Sequence, residues 1–209
     1  MGNKPYYNEF KKIASNLISD FSYLVYENKW EIRRYVTIAK WYKNWKIIYI
    51  AHDIRQTGTN RGVGYSSDTY SGIYVPINNK SNFNCDISSK GIGDLIKHFF
   101  SSKKALTGNK AFDKNFNIKS NDLSKALEMV KSEKPKQLLI NHINYKLAVE
   151  KKARIIENKK FTDQNLLYIE VNNDWIIEEK LIKEIYNVIC TILDELSKTL
   201  VSKYNPLEK

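Results

Sequence analysis

The densest run of residues able to do chemistry lies between Lys29 and Lys46. Lys29, Arg33, Arg34, Lys40, Lys43 and Lys46 are interleaved there with Trp30, Tyr35, Trp41, Tyr42 and Trp45. Cations attract phosphates and exposed rings stack on bases, so this mixture is the kind that single-strand nucleic-acid binders use. The same residues have a purely structural reading. The rings can belong to a core, with the lysines snorkelling at a sheet edge and guarding it against stray pairing. The candidate nucleic-acid or anion-binding residues are therefore Arg33, Arg34, Lys40, Trp41, Lys43, Trp45 and Lys46, together with Arg61.

Arg61 falls in the glycine-rich stretch Gly58 to Gly64. That stretch lacks the Gly-Lys-Ser/Thr ending of a phosphate loop and precedes a strand pattern, not a helix whose N-terminus could hold phosphate. A second basic run holds Lys146, Lys151, Lys152, Arg154, Lys159 and Lys160, diluted by Glu150 and Glu157.

Other reactive side chains are sparse. His52, His98 and His142 show no His-x-x-x-His spacing, so a zincin-type site is excluded. His52 and Asp53 are neighbours on a strand and point to opposite faces, so they form no dyad by themselves. Cys85 and Cys190 make no Cys-x-x-Cys pair, and both sit in apolar patterns that read as core. No Gly-x-Ser-x-Gly elbow occurs. No residue is nominated as catalytic or metal-binding and no cofactor is expected, which leans the reading away from an enzyme.

The chain of 209 residues carries a formal charge of +11, which favours polyanionic partners. Arginine, however, occurs only at positions 33, 34, 55, 61 and 154, and the remaining basic residues are lysines. The accompanying wealth of Asn, Ile and Tyr matches the codon bias of an AT-rich genome, which raises lysine without selection for a ligand. No apolar run reaches the ~20 residues of a membrane span. The N-terminal residues lack a secretory apolar segment, and Tyr6 stands where a myristoylation motif needs Ser or Thr. A cytoplasmic protein without membrane attachment is expected.

The elements that must position these residues follow from periodicity. Phe10, Ile13, Leu17, Phe21 and Leu24 recur at helical spacing, predicting a helix from about Pro5 to Asp20 or beyond. The period then changes. Residues 35–42 and 46–52 are rich in β-branched and aromatic types, with Lys43 and Asn44 as a two-residue turn. That turn pairs Tyr42 with Trp45, Ile38 with Tyr49 and Val36 with Ala51. Strands are also predicted near 72–77, 82–87, 112–118, 145–149, 153–157 and 166–171. Residues 78–80 are read as a hairpin turn. Helices are predicted near 94–100, after a cap at Asn121 or Asp122, over 133–142, and over 176–203. Hairpin-length connections imply antiparallel pairing, and segregated strands and helices imply the α+β class. The expectation is a single compact unit over 1–209, with an internal boundary near 101–110. It comprises antiparallel sheet, an N-terminal helix, central helices and a long C-terminal helix packed on sheet.

Gly108, Phe112, Asp113, Phe116, Ile118, Ser120 and Asp122 match a G-d-x-x-F-D-x-x-F-x-V-x-s-x-D stretch. In this segment the chain resembles a group of uncharacterised bacterial proteins in which that stretch precedes a capped helix. Asn109 replaces the group's usual acidic residue. The upstream hairpin from Ala39 to Ile50 is similar to a second pattern of the group, with Ala39 and Asn44 at its glycine positions. The resemblance implies a bacterial source and supports the fold, but assigns no activity. On these grounds the sequence points to a non-enzymatic binding protein acting through a protein partner or self-association. Sequence-tolerant nucleic-acid binding and an enzyme using scattered carboxylates are the alternatives.

Overall fold

The computed structural model describes residues 4–29, 31–56, 66–78, 82–91, 106–151, 165–197 and 201–202. Helix α1 (Tyr7–Leu17) buries Phe10, Ile13 and Ala14. It stops at Ile18, whose φ of 52° is left-handed and whose N–H reaches back to the carbonyls of Ala14 and Ser15. The expected continuation through Phe21 and Leu24 is a strand instead, β1 (Asp20–Glu27). Once the helix closes at Ile18, period two takes over. Phe21, Tyr23 and Val25 turn toward the core, and Leu24 turns outward.

Strands β2 (Glu31–Tyr42) and β3 (Trp45–Gln56) form the predicted hairpin, with Lys43 at a φ of 52° in its turn. The three expected pairs, Tyr42 with Trp45, Ile38 with Tyr49 and Val36 with Ala51, are in register. Next come β4 (Ser66–Asn78), β5 (Cys85–Ser89), α2 (Lys110–Asn115), β6 (Phe116–Ser120) and α3 (Leu123–Met129). Then follow α4 (Glu133–Asn141), β7 (Tyr145–Lys151), β8 (Asn165–Asn172), α5 (Glu179–Leu196) and the short β9 (Val201–Ser202).

Among the described residues all pairings are antiparallel. They join one nine-stranded sheet in the order β1-β2-β3-β4-β8-β7-β5-β6, with β9 beside the end of β4. This is the expected α+β class. The connectivity differs in one respect. Strands β4 and β5 make no hairpin, because β8 takes the place beside β4 while β5 lies between β7 and β6. Gly72 shows how close β8 comes. A Cβ added there would sit 2.3 Å from the Ile169 carbonyl oxygen.

The segment from Gly108 to Asp122 is a built corner. The Asp113 carboxylate accepts from the Thr107 N–H (2.9 Å), the Thr107 hydroxyl (2.8 Å) and the Gly108 N–H (3.2 Å). Asn109 caps α2 by accepting from the Phe112 N–H. Phe112 therefore lies in a helix rather than in the strand expected over 112–118, and its ring stacks on Phe116 at 5.0 Å. Asp122 caps α3. The helix expected over 94–100 and the strand over 153–157 lie outside the described residues.

The described helices lie on one face of the sheet. Phe10 and Ile13 of α1 join Val36, Ile38 and Tyr49 there, and α5 adds Ile182, Ile185, Ile189 and Leu193. Each such fully buried aliphatic side chain contributes about 2 kcal/mol. The opposite face is also buried in its centre, where Tyr70, Tyr74, Ala148, Leu166 and Tyr168 form a second cluster. From the β2–β3 hairpin, Ile50 packs against this second cluster.

Candidate functional site

Extending the hairpin register by eight residues sets Arg34 opposite Asp53. Both point to the helix side, and their side chains are only 4% and 5% exposed. Arg34 Nη1 donates to Asp53 Oδ2 at 2.9 Å. Arg55 lies two residues on along the same face, and its Nε donates to the same oxygen at 3.0 Å. Two guanidinium groups thus converge on one carboxylate, an arrangement that holds a buried charge in place.

This triad borders a cleft of about 420 Å³ lined by Pro5, Tyr6, Asp53, Arg55, Thr69, Asn173, Asp174, Trp175 and Ile177. Two turns shape it. Tyr6, at the cap of α1, has a φ of 57°, and Asn173, after β8, has a φ of 65°. Left-handed backbone costs an ordinary L-residue about 1 kcal/mol, so the surrounding packing must hold Tyr6 there. The ring of Tyr6 lies 6.3 Å from that of Trp175. Trp175 is fixed by its indole N–H, which donates to the His52 carbonyl at 3.0 Å, and by its backbone N–H, which donates to Asp174 Oδ1 at 2.7 Å.

Tyr6 also lines a second groove, of about 730 Å³, together with Lys4, Tyr7, Asn8, Glu9, Tyr23, Leu24 and Val25. This groove runs along β1, which among the described residues ends the sheet and pairs with β2 alone. Leu24 and Tyr26 on that edge strand are 49% and 54% exposed.

The face away from the helices carries a third polar group of residues. Lys146 Nζ donates to Asp86 Oδ2 (2.8 Å) and Glu150 Oε1 (3.2 Å), and the Tyr168 hydroxyl donates to Glu150. The Tyr74 hydroxyl donates to Glu170 Oε2 at 3.0 Å. Burial pushes the phenols of Tyr74 and Tyr168 well above the ordinary tyrosine range, so both stay protonated donors. Here the carboxylates are engaged as acceptors for structure. His52 likewise packs its ring on Tyr35 at 4.5 Å and near Tyr70 at 4.8 Å, on the face opposite Asp53. Among the described residues, no group of three or more His, Cys, Asp or Glu side chains could hold a metal ion. No described helix is long and apolar enough to cross a membrane.

The basic and aromatic residues singled out from the sequence divide between places. Arg34, Lys40 and Trp45 share the helix side by register, while Arg33, Trp41 and Lys46 share the other. Arg33 pairs with Glu31 at 2.7 Å. Lys40 Nζ sits 5.6 Å from the Tyr186 ring centroid. Trp41 is half-buried opposite Lys46, and Trp45 is buried. Lys43 donates to Asp194 at 2.6 Å beside the Tyr42 ring. Arg61 and Trp30 lie outside the described residues. Sequence reasoning singled out Arg34 and missed Asp53, Arg55, Tyr6 and Trp175. The signal for the first two was available, since the Lys43–Asn44 turn fixes which residues of the hairpin face one another.

Comparison of the chain with protein-family models, with curated proteins and with solved structures finds no match.

Proposed function

We propose that the protein is a non-enzymatic interaction module that takes up an extended segment of a partner protein as an added strand along β1. The observation that carries this reading is the free edge. β1 spans eight residues, has one sheet neighbour among the described residues, exposes Leu24 and Tyr26, and borders the groove with the start of α1. An unpaired strand edge offers backbone donors and acceptors in register, and adjoining pockets select alternate side chains.

Charge narrows the partner. The charged residues of β1 are Asp20 and Glu27, and Glu9 lines the groove beside Lys4. A second copy of β1 would bring carboxylates together at the seam. A heterologous segment with alternating apolar residues and Lys or Arg at its ends complements this edge. Nucleic-acid binding draws less support, because Lys40 and Trp45 face one side of the sheet and Trp41 and Lys46 the other.

The test is selection of linear peptides from a displayed library, followed by hydrogen exchange on the complex. Enriched peptides should alternate apolar residues, carry basic ends and protect amides of β1. Leu24→Lys combined with Tyr26→Lys should weaken binding by about tenfold or more. Protection that maps elsewhere, or a self-associating protein whose dimer survives this double change, would overturn the reading. Salt-resistant binding of labelled single-stranded DNA would move the assignment to the nucleic-acid alternative.

A further inference from the structure

We propose that the cleft between Arg55 and Trp175 binds a small zwitterion of the α-amino acid class. Its carboxylate would lie on Arg55, its ammonium between Asp53 and Asp174, and its side chain against Tyr6 and Trp175. The site shares Tyr6 with the groove beside β1, but its charged subsites lie on β3 and after β8, so it stands whether or not β1 receives a partner.

Arg55 supplies the anion subsite. Its Nε is committed to Asp53, which fixes the direction of the guanidinium, and its side chain is 56% exposed. Among the described residues, Nη1 and Nη2 make no other hydrogen bond. Two parallel N–H groups on a held guanidinium match the two oxygens of a carboxylate.

The carboxylates supply the cation subsite. Asp53 is 4% exposed, and its Oδ2 receives both arginines. Its buried Oδ1 accepts no hydrogen bond among the described residues. That unfilled acceptor leaves Asp53 carrying negative charge beside the cleft, which a ligand ammonium next to it would offset. Asp174 lines the same cleft, with Oδ1 engaged by the Trp175 N–H. Its other oxygen makes no hydrogen bond among the described residues.

Charge balance selects the ligand class. Arg34 and Arg55 offset Asp53 and Asp174. A simple anion would meet the carboxylates, and a simple cation would meet Arg55. A ligand carrying an ammonium and a carboxylate on one carbon satisfies both subsites at once. Pro5, Tyr6, Trp175 and Ile177 add an aromatic and apolar wall, Thr69 and Asn173 complete the lining, and the volume of about 420 Å³ lies in the range of small-molecule sites. The strained backbone at Tyr6 sets one ring of that wall beside the held indole.

Isothermal titration calorimetry on the full chain tests this with L-phenylalanine, L-tryptophan and L-leucine as probes. 3-Phenylpropionate and phenethylamine serve as analogues carrying one charge each. At least one amino acid should bind with a dissociation constant of about 1 mM or tighter, and each analogue should bind about tenfold or more weakly. Arg55→Gln and Asp174→Asn should each weaken amino-acid binding by a similar factor. Asp174→Asn should leave the thermal melt unchanged, whereas Arg55→Gln, which also removes the Nε contact to buried Asp53, should lower it with the protein still folded at the assay temperature. Arg55→Lys, which keeps the charge without the fork, should recover only part of the loss. The proposal fails if none of the three amino acids binds at about 10 mM. It also fails if a one-charge analogue binds as well as its parent, or if Arg55→Gln leaves binding unchanged.

Discussion

Arg34 and Asp53 face each other across the β2–β3 ladder and join at 2.9 Å in a pair almost wholly withdrawn from water. Removing one member strands the other. Arg34→Met should cost about 3 kcal/mol, the range for breaking a buried pair, with Arg55 holding the loss at the lower end. Arg34→Met combined with Asp53→Leu should recover most of that loss, because no lone buried charge remains. Urea unfolding of the three proteins checks both statements, and a double variant no more stable than the single one would contradict them.

Gly72 tests how the sheet is joined. Its missing Cβ leaves room for the backbone of Ile169 and Glu170, which an alanine methyl would meet at 2.3 and 2.8 Å. Gly72→Ala should force β4 and β8 apart and destabilise the protein by about 3 kcal/mol. The loss should show as a lowered melting temperature, while Ser71→Ala, one residue away, should change stability less.

Cys85 and Cys190 are both buried as free thiols. Burial pushes the Cys85 thiol up to about 12 and the Cys190 thiol up to about 11. The reactive thiolate is therefore scarce at neutral pH. Native protein should react slowly with an aromatic disulfide reagent at pH 8, and unfolded protein should release both thiols quickly. A fast native phase removed by Cys190→Ala would show that this part of α5 opens.

Acid should reveal the Asp86–Lys146 contact. Burial raises the Asp86 carboxyl, but the hydrogen bonds from Lys146 and Ser88 outweigh it and hold the group below its ordinary range. A carboxyl with a lowered folded-state pKa stabilises fully above its unfolded value, near pH 4, and loses that contribution as pH falls through the folded value. The stability gap between the native protein and Asp86→Asn should be constant at neutral pH and shrink below about pH 4. A gap independent of pH would contradict the contact.

The hairpin of β2 and β3 was legible because its turn residues and the apolar pairs Ile38 with Tyr49 and Val36 with Ala51 agreed on one register. The same register contained the Arg34–Asp53 and Tyr35–His52 pairs, eight and seven residues from the turn, and reading it to the end would have found both. β1 was misread because Phe21 and Leu24 fit helical spacing as well as Phe21, Tyr23 and Val25 fit alternation. Only the left-handed turn at Ile18, at a residue whose type gives no warning, decides between them. Phe112 was placed in a strand because the cap formed by Asn109 competes locally with extended backbone. Tyr6 and Trp175 come to the cleft from opposite ends of the chain, and no local pattern encodes that meeting.

The order of strands has a consequence in time. β4 ends at Asn78, yet the strand that fills its outer side begins only at Asn165. A ribosome adding residues in sequence releases the β1–β4 half long before β8 exists, so Ile73 and Val75 must wait beside an unfilled slot while β5, β6 and β7 are still being made. Nascent chains in that interval are open to any passing strand, and a chain cut short before Asn165 would carry two half-sheets with nothing to bridge them. Synthesis of this protein is therefore exposed at its centre, and the segment from Asn165 to Asn172 is the one whose arrival closes it.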